Sequence, residues 1–234
     1  MGSIAEIGGS IIARAQSEAA TISQNMANSL TPGYRAQRSF SLEIQPEQLD
    51  GSEVPAVSRK SDFTSGKMIQ TSNPLDLAIQ GDGFFTLRAG DTYYYSKSGQ
   101  FARSAEGLLV TPEGWVLQGS GGDVATSTEK LEITADGVLL QDGAPISKLA
   151  IRRFADPSAL TAVGAASFEA SEGSGEEMAN PIVRQGMVES SNVSSGAEMV
   201  ELMAAMRRAE SGQRVVQLYD SLMGQAIVGF DVSK

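Results

Sequence analysis

The sequence predicts an α+β protein in which paired long N- and C-terminal helices, coiled-coil-like, accompany a compact antiparallel β domain. Three observations carry this. Apolar residues recur at helical spacing at both ends of the chain. The middle alternates with period two in short runs. Glycine-centred turn pairs separate those runs. The 234 residues suffice for a sizeable core, and 41% apolar against 20% charged residues is a globular balance.

At the N-terminus, Ile4, Ile7, Ile11, Ala15, Ala19, Ile22, Met26 and Leu30 follow one another at intervals of three or four. This stripe predicts a helix of roughly 40 Å. Gly8 and Gly9 weaken its first turns. Thr31-Pro32-Gly33 stops it, because proline restricts the residue before it and lacks an amide donor. Residues 36–70 show little periodicity and read as extended linker with some strand. Period-two runs then begin at Leu75–Gln80, turn at Gly81-Asp82-Gly83, and return through Phe84–Arg88 and Thr92–Ser96. Shorter runs lie near 107–111, 114–118, 131–134, 137–140 and 146–154. Between them are turns such as Glu106-Gly107, Glu113-Gly114, Asp136-Gly137 and Asp142-Gly143. Residues 171–180 read as an exposed acidic loop. The last helix carries Met199, Met203, Met206, Val216, Tyr219, Met223 and Ile227 on its stripe and runs to about residue 228, roughly 50 Å. Ser194 or Ser195 is its expected N-cap, with Glu198 at the capping-box spacing from Ser195. The expected organisation is a terminal helical assembly domain (1–35 and 191–234), an extended linker (36–70 and 171–190) and an outer β domain (71–170).

Composition excludes much chemistry. Histidine and cysteine are both absent. No His-based triad, cysteine nucleophile, disulfide or ordinary zinc site can be built. We therefore expect no catalytic, cofactor-binding or metal-binding residues. Asp76, Asp82 and Glu106 read as turn and strand-surface acids, and Gly81-Asp82-Gly83 lacks the Lys-Ser/Thr of a phosphate loop. Tyr93, Tyr94 and Tyr95 read as cross-strand packing and Trp115 as a partly buried anchor. A net charge of −10 argues against nucleic acid as a partner. No run approaches the roughly 18 apolar residues of a membrane span, so direct membrane insertion is not expected. The N-terminal residues do not read as a signal peptide.

The charge is uneven. Residues 1–35 set Arg14 and Arg35 against Glu6 and Glu18, and residues 196–234 set four basic against five acidic groups. Nearly all of the −10 therefore falls in the middle. Two packings satisfy the helical stripes: the helices fold back on the β domain, or copies stack them together. The first suits a monomeric carbohydrate- or peptide-binding β module. The second suits an assembling subunit, with near-neutral helices crowded together and the acidic middle solvated. Methionines such as Met199, Met203, Met206 and Met223 suit packing among non-identical neighbours. The assembly residues expected on this reading are Ile4, Ile7, Ile11, Ile22, Met26 and Leu30, with Met199, Met203, Met206, Val216, Tyr219 and Met223.

Four stretches carry a family resemblance. Ser23–Arg35, with Asn25, Asn28, Thr31, Pro32, Gly33 and Tyr34, resembles the N-terminal signature of flagellar rod, hook and hook-associated proteins, "N-x-A-N-x-x-T-P-G-Y". Thr71–Phe85, with Asn73, Pro74, Asp76, Gly81 and Gly83, resembles the motif that opens the outer β domain of rod and hook proteins. Tyr95–Phe101, Gly107–Thr111 and Gly114 resemble the next motif of that domain. Gln185–Val193, ending in Ser191, Asn192 and Val193, resembles the lead into their C-terminal helix. Within the family the chain is most similar to basal-body rod proteins of the proximal-rod type, with the distal-rod type next. Arg208-Ala209-Glu210-Ser211 departs from the "RAYE" common in the distal type. The resemblance implies a structural subunit of the rod, not an enzyme. It implies export through the flagellar type III apparatus without a cleaved signal. It implies helical assembly across the periplasm with its own copies and other rod proteins. The terminal helices would form the inner wall of the export channel and the β domain would face outward.

Overall fold

A computed structural model of the chain describes residues 4–41, 57–127, 131–171 and 173–231. Among the described residues the chain is α+β, with two α-helices and several antiparallel sheets. It divides into two compact units. One holds residues 1–27, 37–60 and 194–234, the other 28–36 and 61–193. The 42–56 part of the stretch read as linker lies outside the described residues.

In the first unit, helix α1 spans Ile4–Ala27 and helix α2 spans Ser195–Asp231. Their lengths correspond to about 36 Å and about 55 Å. α1 ends a turn before the expected stop because Asn28 captures the chain: its carbonyl accepts from the Thr31 amide at 3.1 Å, and its side chain accepts from the Thr31 hydroxyl at 3.2 Å. At the start of α2 the Glu198 amide donates to the Ser194 carbonyl at 2.9 Å, which makes Ser194 the N-cap. The capping-box role expected of Glu198 is not seen. Its two carboxylate oxygens accept instead from Arg38 at 2.8 Å and from Asn25 at 3.1 Å. The strands Gln37–Ser41 and Val57–Ser61 pair as a ribbon.

Among the described residues the second unit is built of strands, with one 3-10 turn at Pro157–Ala159. Its largest sheet has ten strands. At the centre, Gly83–Ala89 pairs antiparallel with Thr92–Ser96, Val116–Gly119 and Ile151–Arg153. Alternation along Gly83–Ala89 places apolar residues on both faces. Phe85 and Leu87 join a core with Leu77, Leu117, Leu139 and Leu149. Phe84 joins a second core with Tyr95, Phe154, Leu160 and Phe168. The run read as one strand over 146–154 is two strands, Ala144–Lys148 and Ile151–Arg153, which belong to different sheets. The first closes a three-stranded meander with Leu131–Ile133 and Val138–Gln141. In the acidic stretch 171–180, Glu176–Glu177 pairs with Arg152 and Arg153. Two ribbons complete the unit: Ile182–Gln185 on Leu77–Gln80, and Met187–Glu189 on Met68–Gln70. The tyrosines separate by face. Tyr94 stacks on Trp115 with ring centroids 4.5 Å apart, Tyr95 is buried against Phe154, and Tyr93 is exposed.

Candidate assembly surface

Buried positions seven residues apart lie on both helices: Gly8, Ala15 and Ile22 on α1, where Thr21 and Asn25 are buried as well, and Glu198, Ala205 and Gly212 on α2. Most are small, and the backbones approach closely where they are smallest. A Cβ placed on Gly212 would lie 2.8 Å from Ile12 Cγ1 and 3.1 Å from the Gly8 carbonyl oxygen. One on Gly8 would lie 2.6 Å from Val216 Cγ2. Further along, Arg208 pairs with Glu18 at 2.6 Å, and Asn25 Nδ2 donates to Glu198 Oε2 at 3.1 Å. As the residue number rises along α1, its partner number falls along α2.

This seam sorts the residues expected to drive assembly. Ile22 is buried, and Ile11, Met26, Val216 and Tyr219 are half-buried. Ile7, Met199, Met203, Met206 and Met223 stay exposed, Met206 at 56%. Leu30 stands outside the helix, on the turn, and is 93% exposed. The Ile4 side chain lies outside what is described. The split has a simple cause. Met199 and Met206 each come one residue after a seam position, about 100° around the helix. One apolar stripe in the sequence is thus two faces, a small-residue seam and a methionine face. Val200, Leu218 and Leu222 are further exposed apolar residues of α2.

The motif residues build supports. Asn25 is buried, donates to the Gln37 carbonyl at 2.9 Å and accepts from the Gln37 amide at 2.8 Å. In the second unit, Asn28, Thr31 and Pro32 form the turn, Gly33 takes φ +73°, and Tyr34 is fully buried. Asn73 donates to Asp76 at 2.8 Å and accepts from the Leu75 amide, while the Pro74 carbonyl accepts from Gln185 at 2.8 Å. Asp76 is therefore a buried, bonded turn residue. Gly81 closes the turn at φ +101°, and Gly83 packs against Ile151 and Ile79. Asn192 accepts from the Ala36 amide at 2.8 Å and donates to the Asp62 and Thr64 carbonyls. Ser191 accepts from the Val193 amide at 3.1 Å.

Sequence reasoning missed the charged residues behind these supports. Arg35 and Glu189 form a buried ion pair at 2.7 Å in the second unit, and Arg38 reaches buried Glu198 in the first. A buried charge has the same letter as a surface charge. The only signal was that Arg35 and Glu189 each sit inside a motif of otherwise apolar or hydrogen-bonding residues. One cleft, of about 700 Å³, is lined by Thr86, Tyr93, Tyr95, Gln118, Arg152 and Glu169 among others, a mixed polar wall. Among the described residues no group of three Asp or Glu side chains is placed to hold a metal ion, and no helix is long and apolar enough to cross a membrane.

The molecule is thus a helical unit with an exposed apolar face and a β unit braced by its motif residues, the make-up of a building block. Residues 78–141 match the flagellar hook protein FlgE/F/G D1 domain, and residues 184–227 match the flagellar basal body rod FlgEFG protein C-terminal domain. The chain is 31% identical over 231 residues to the flagellar basal-body rod protein FlgF of Escherichia coli, covering 88% of this chain and 90% of that one. It is 31% identical over 191 residues to FlgG of Borreliella burgdorferi, covering 75% and 71%. It is 28% identical over 220 residues to FlgF of Caulobacter vibrioides, covering 88% and 89%. The chain belongs to the flagellar basal-body rod proteins, FlgF or FlgG, and is a structural subunit of the rod rather than an enzyme.

Proposed function

We propose that this rod subunit assembles through its terminal helices, and that α1 and α2 first pair with each other as an antiparallel, coiled-coil-like hairpin. The seven-residue recurrence of Gly8, Ala15 and Ile22 and of Glu198, Ala205 and Gly212 supports the pairing. A seven-residue spacing of seam positions on a 3.6-residue helix favours a left-handed supercoil. Intrachain contacts use the small-residue seam and leave the methionine face of α2 for further copies and other rod proteins. Flexible, polarizable methionines tolerate such unequal neighbours. On this reading residues 1–35 and 191–234 make the shaft wall around an export channel, 36–70 and 171–190 lead outward, and 71–170 form the outer domain. Kinship to the rod proteins supports a place across the periplasm, reached through the flagellar type III apparatus. The Arg208–Ser211 segment favours the proximal FlgF role. The kinship also weighs against a monomeric binding module.

The single observation that carries this reading is the exposure of Met199, Met203 and Met206 beside a seam that is already filled. Met206→Asp therefore keeps the helix content and melting temperature of the purified chain, since the side chain stands in water there. Returned to cells lacking their own copy, it leaves them without completed rods and non-motile. Cells that swim normally on this variant would show that the methionine face is not an assembly contact. Rescue of a strain lacking FlgF, but not of one lacking FlgG, would assign the proximal role.

A further inference from the structure

The corner at residues 31–36 is pressed against two buried cations served by one buried carboxylate. On one side the Gly33 amide donates to the Glu189 carbonyl at 2.8 Å. Arg35 Nη2 donates to Glu189 Oε1 at 2.7 Å, and the Gly66 amide donates to the same oxygen at 2.7 Å. On the other side the Gly33 Cα faces the Lys97–Ser98 backbone so closely that a Cβ would overlap the Ser98 nitrogen. Lys97 is itself only 4% exposed. Its ammonium donates to the Gly81 carbonyl and stands 5.0 Å from the centre of the Phe84 ring. Arg35 is 1% exposed, and its Nε and Nη1 have no acceptor among the described residues.

The charged groups acting on Lys97 are Arg35, Glu189 and Asp82, of which only Asp82 is exposed. Two buried positive charges against one buried negative charge leave an excess cation out of water, a costly arrangement. Unpaired guanidinium N–H groups add to the cost. Of the two cations only lysine can release its proton near neutral pH, because guanidinium stays charged.

We propose that this cluster is a proton-sensitive clamp: Lys97 releases its proton to water, the buried excess charge disappears, and the corner is then held more firmly to the β unit. Burial pushes the Lys97 ammonium down from 10.5 to about 8, with Arg35 adding to the push and Glu189 and Asp82 opposing it. Once the corner opens and Lys97 meets water, its affinity for protons returns to the ordinary value. Between about pH 8 and about pH 10.5 the open form binds more protons than the closed one, so raising pH favours closure. Below about pH 8 both forms are protonated and the gain is absent. All of these contacts lie within the β unit, so the clamp stands independently of how copies assemble.

Hydrogen exchange read by mass spectrometry on peptides covering 31–36, corrected for the intrinsic effect of pH, tests this in the full chain. The opening equilibrium of the wild type should fall about tenfold between about pH 7 and about pH 9. Lys97→Met, which removes the charge, should be tightly closed at both values. Lys97→Arg, which keeps a charge that does not titrate here, should be loose at both. Protection in the wild type that does not change with pH would overturn the proposal. So would a Lys97→Met corner as loose as that of Lys97→Arg, since the lysine would then act only through Gly81 and Phe84. A readout on the unaltered chain covers variants that fail to fold. The NMR titration of the Lys97 side chain should centre near 8, and a midpoint at the ordinary lysine value would sink the clamp.

Discussion

Gly33 occupies the left-handed region at φ +73°, with the Ser98 backbone against its Cα. Both the conformation and the space exclude a side chain. Gly33→Ala should therefore destabilise the β unit by at least about 2 kcal/mol, more than the backbone term of about 1–3 kcal/mol taken at its low end. Urea denaturation followed by Trp115 fluorescence measures it. An unchanged midpoint would mean that the corner is not part of the cooperative fold. This demand was legible from Thr31-Pro32-Gly33, because a proline stop with glycine after it is local chemistry. The Arg35–Glu189 pair was not legible. Its partners are 154 residues apart, and nothing in one sequence links two charges that meet only after the strand Met187–Glu189 has paired with Met68–Gln70. The same limit applied to Glu198. Its spacing from Ser195 matched a capping box, but Asn25 and Arg38, brought close by tertiary structure, bind both its oxygens.

The helices and the central strands were legible as elements because their periodicities are strong. What periodicity could not give was the face. A stripe allows residues one apart to share a reading, yet on a helix they differ by about 100°. The seam was marked instead by glycine and alanine, which a search for large apolar residues passes over. Two α2 glycines separate packing from propensity. A Cβ on Gly212 would meet Ile12 and the Gly8 carbonyl, whereas one on Gly224 would meet no other part of the chain within 4 Å. Gly212→Ala should cost about 1–3 kcal/mol through overpacking, in spite of alanine's better helix propensity. Gly224→Ala should gain up to about 1 kcal/mol. Far-UV CD melts of the purified chain compare the two. If both stabilise alike, the close approach of α1 and α2 is not maintained in solution. Among the strands, the run 146–154 shows the corresponding limit for sheets: apolar alternation does not reveal where a chain changes partners.

At the scale of the whole molecule the −10 charge is the feature that bears on assembly. It is carried almost entirely between residues 36 and 195, while the terminal segments that supply α1 and α2 are near neutral. Ion pairs inside the helical unit are Arg208–Glu18, Arg14–Glu18 and Arg38–Glu198 among the described residues. The two Glu18 pairs, with their arginines half-exposed, contribute little to association. On the assembly proposed above, attraction between copies comes from apolar helix faces, and electrostatics enters mainly as repulsion between acidic middles. Repulsion between exposed charges is screened over about 10 Å at 0.1 M salt, whereas apolar burial is not weakened by salt. Self-association of the purified chain should therefore strengthen when sodium chloride is raised from about 20 mM to about 500 mM, a range over which the screening length falls several-fold. Sedimentation velocity at fixed protein concentration reads this as growth of the faster species. Met206→Asp should abolish that growth while leaving the monomer boundary intact. Dissociation on adding salt would instead mean that complementary charges, not the methionine face, hold the copies together.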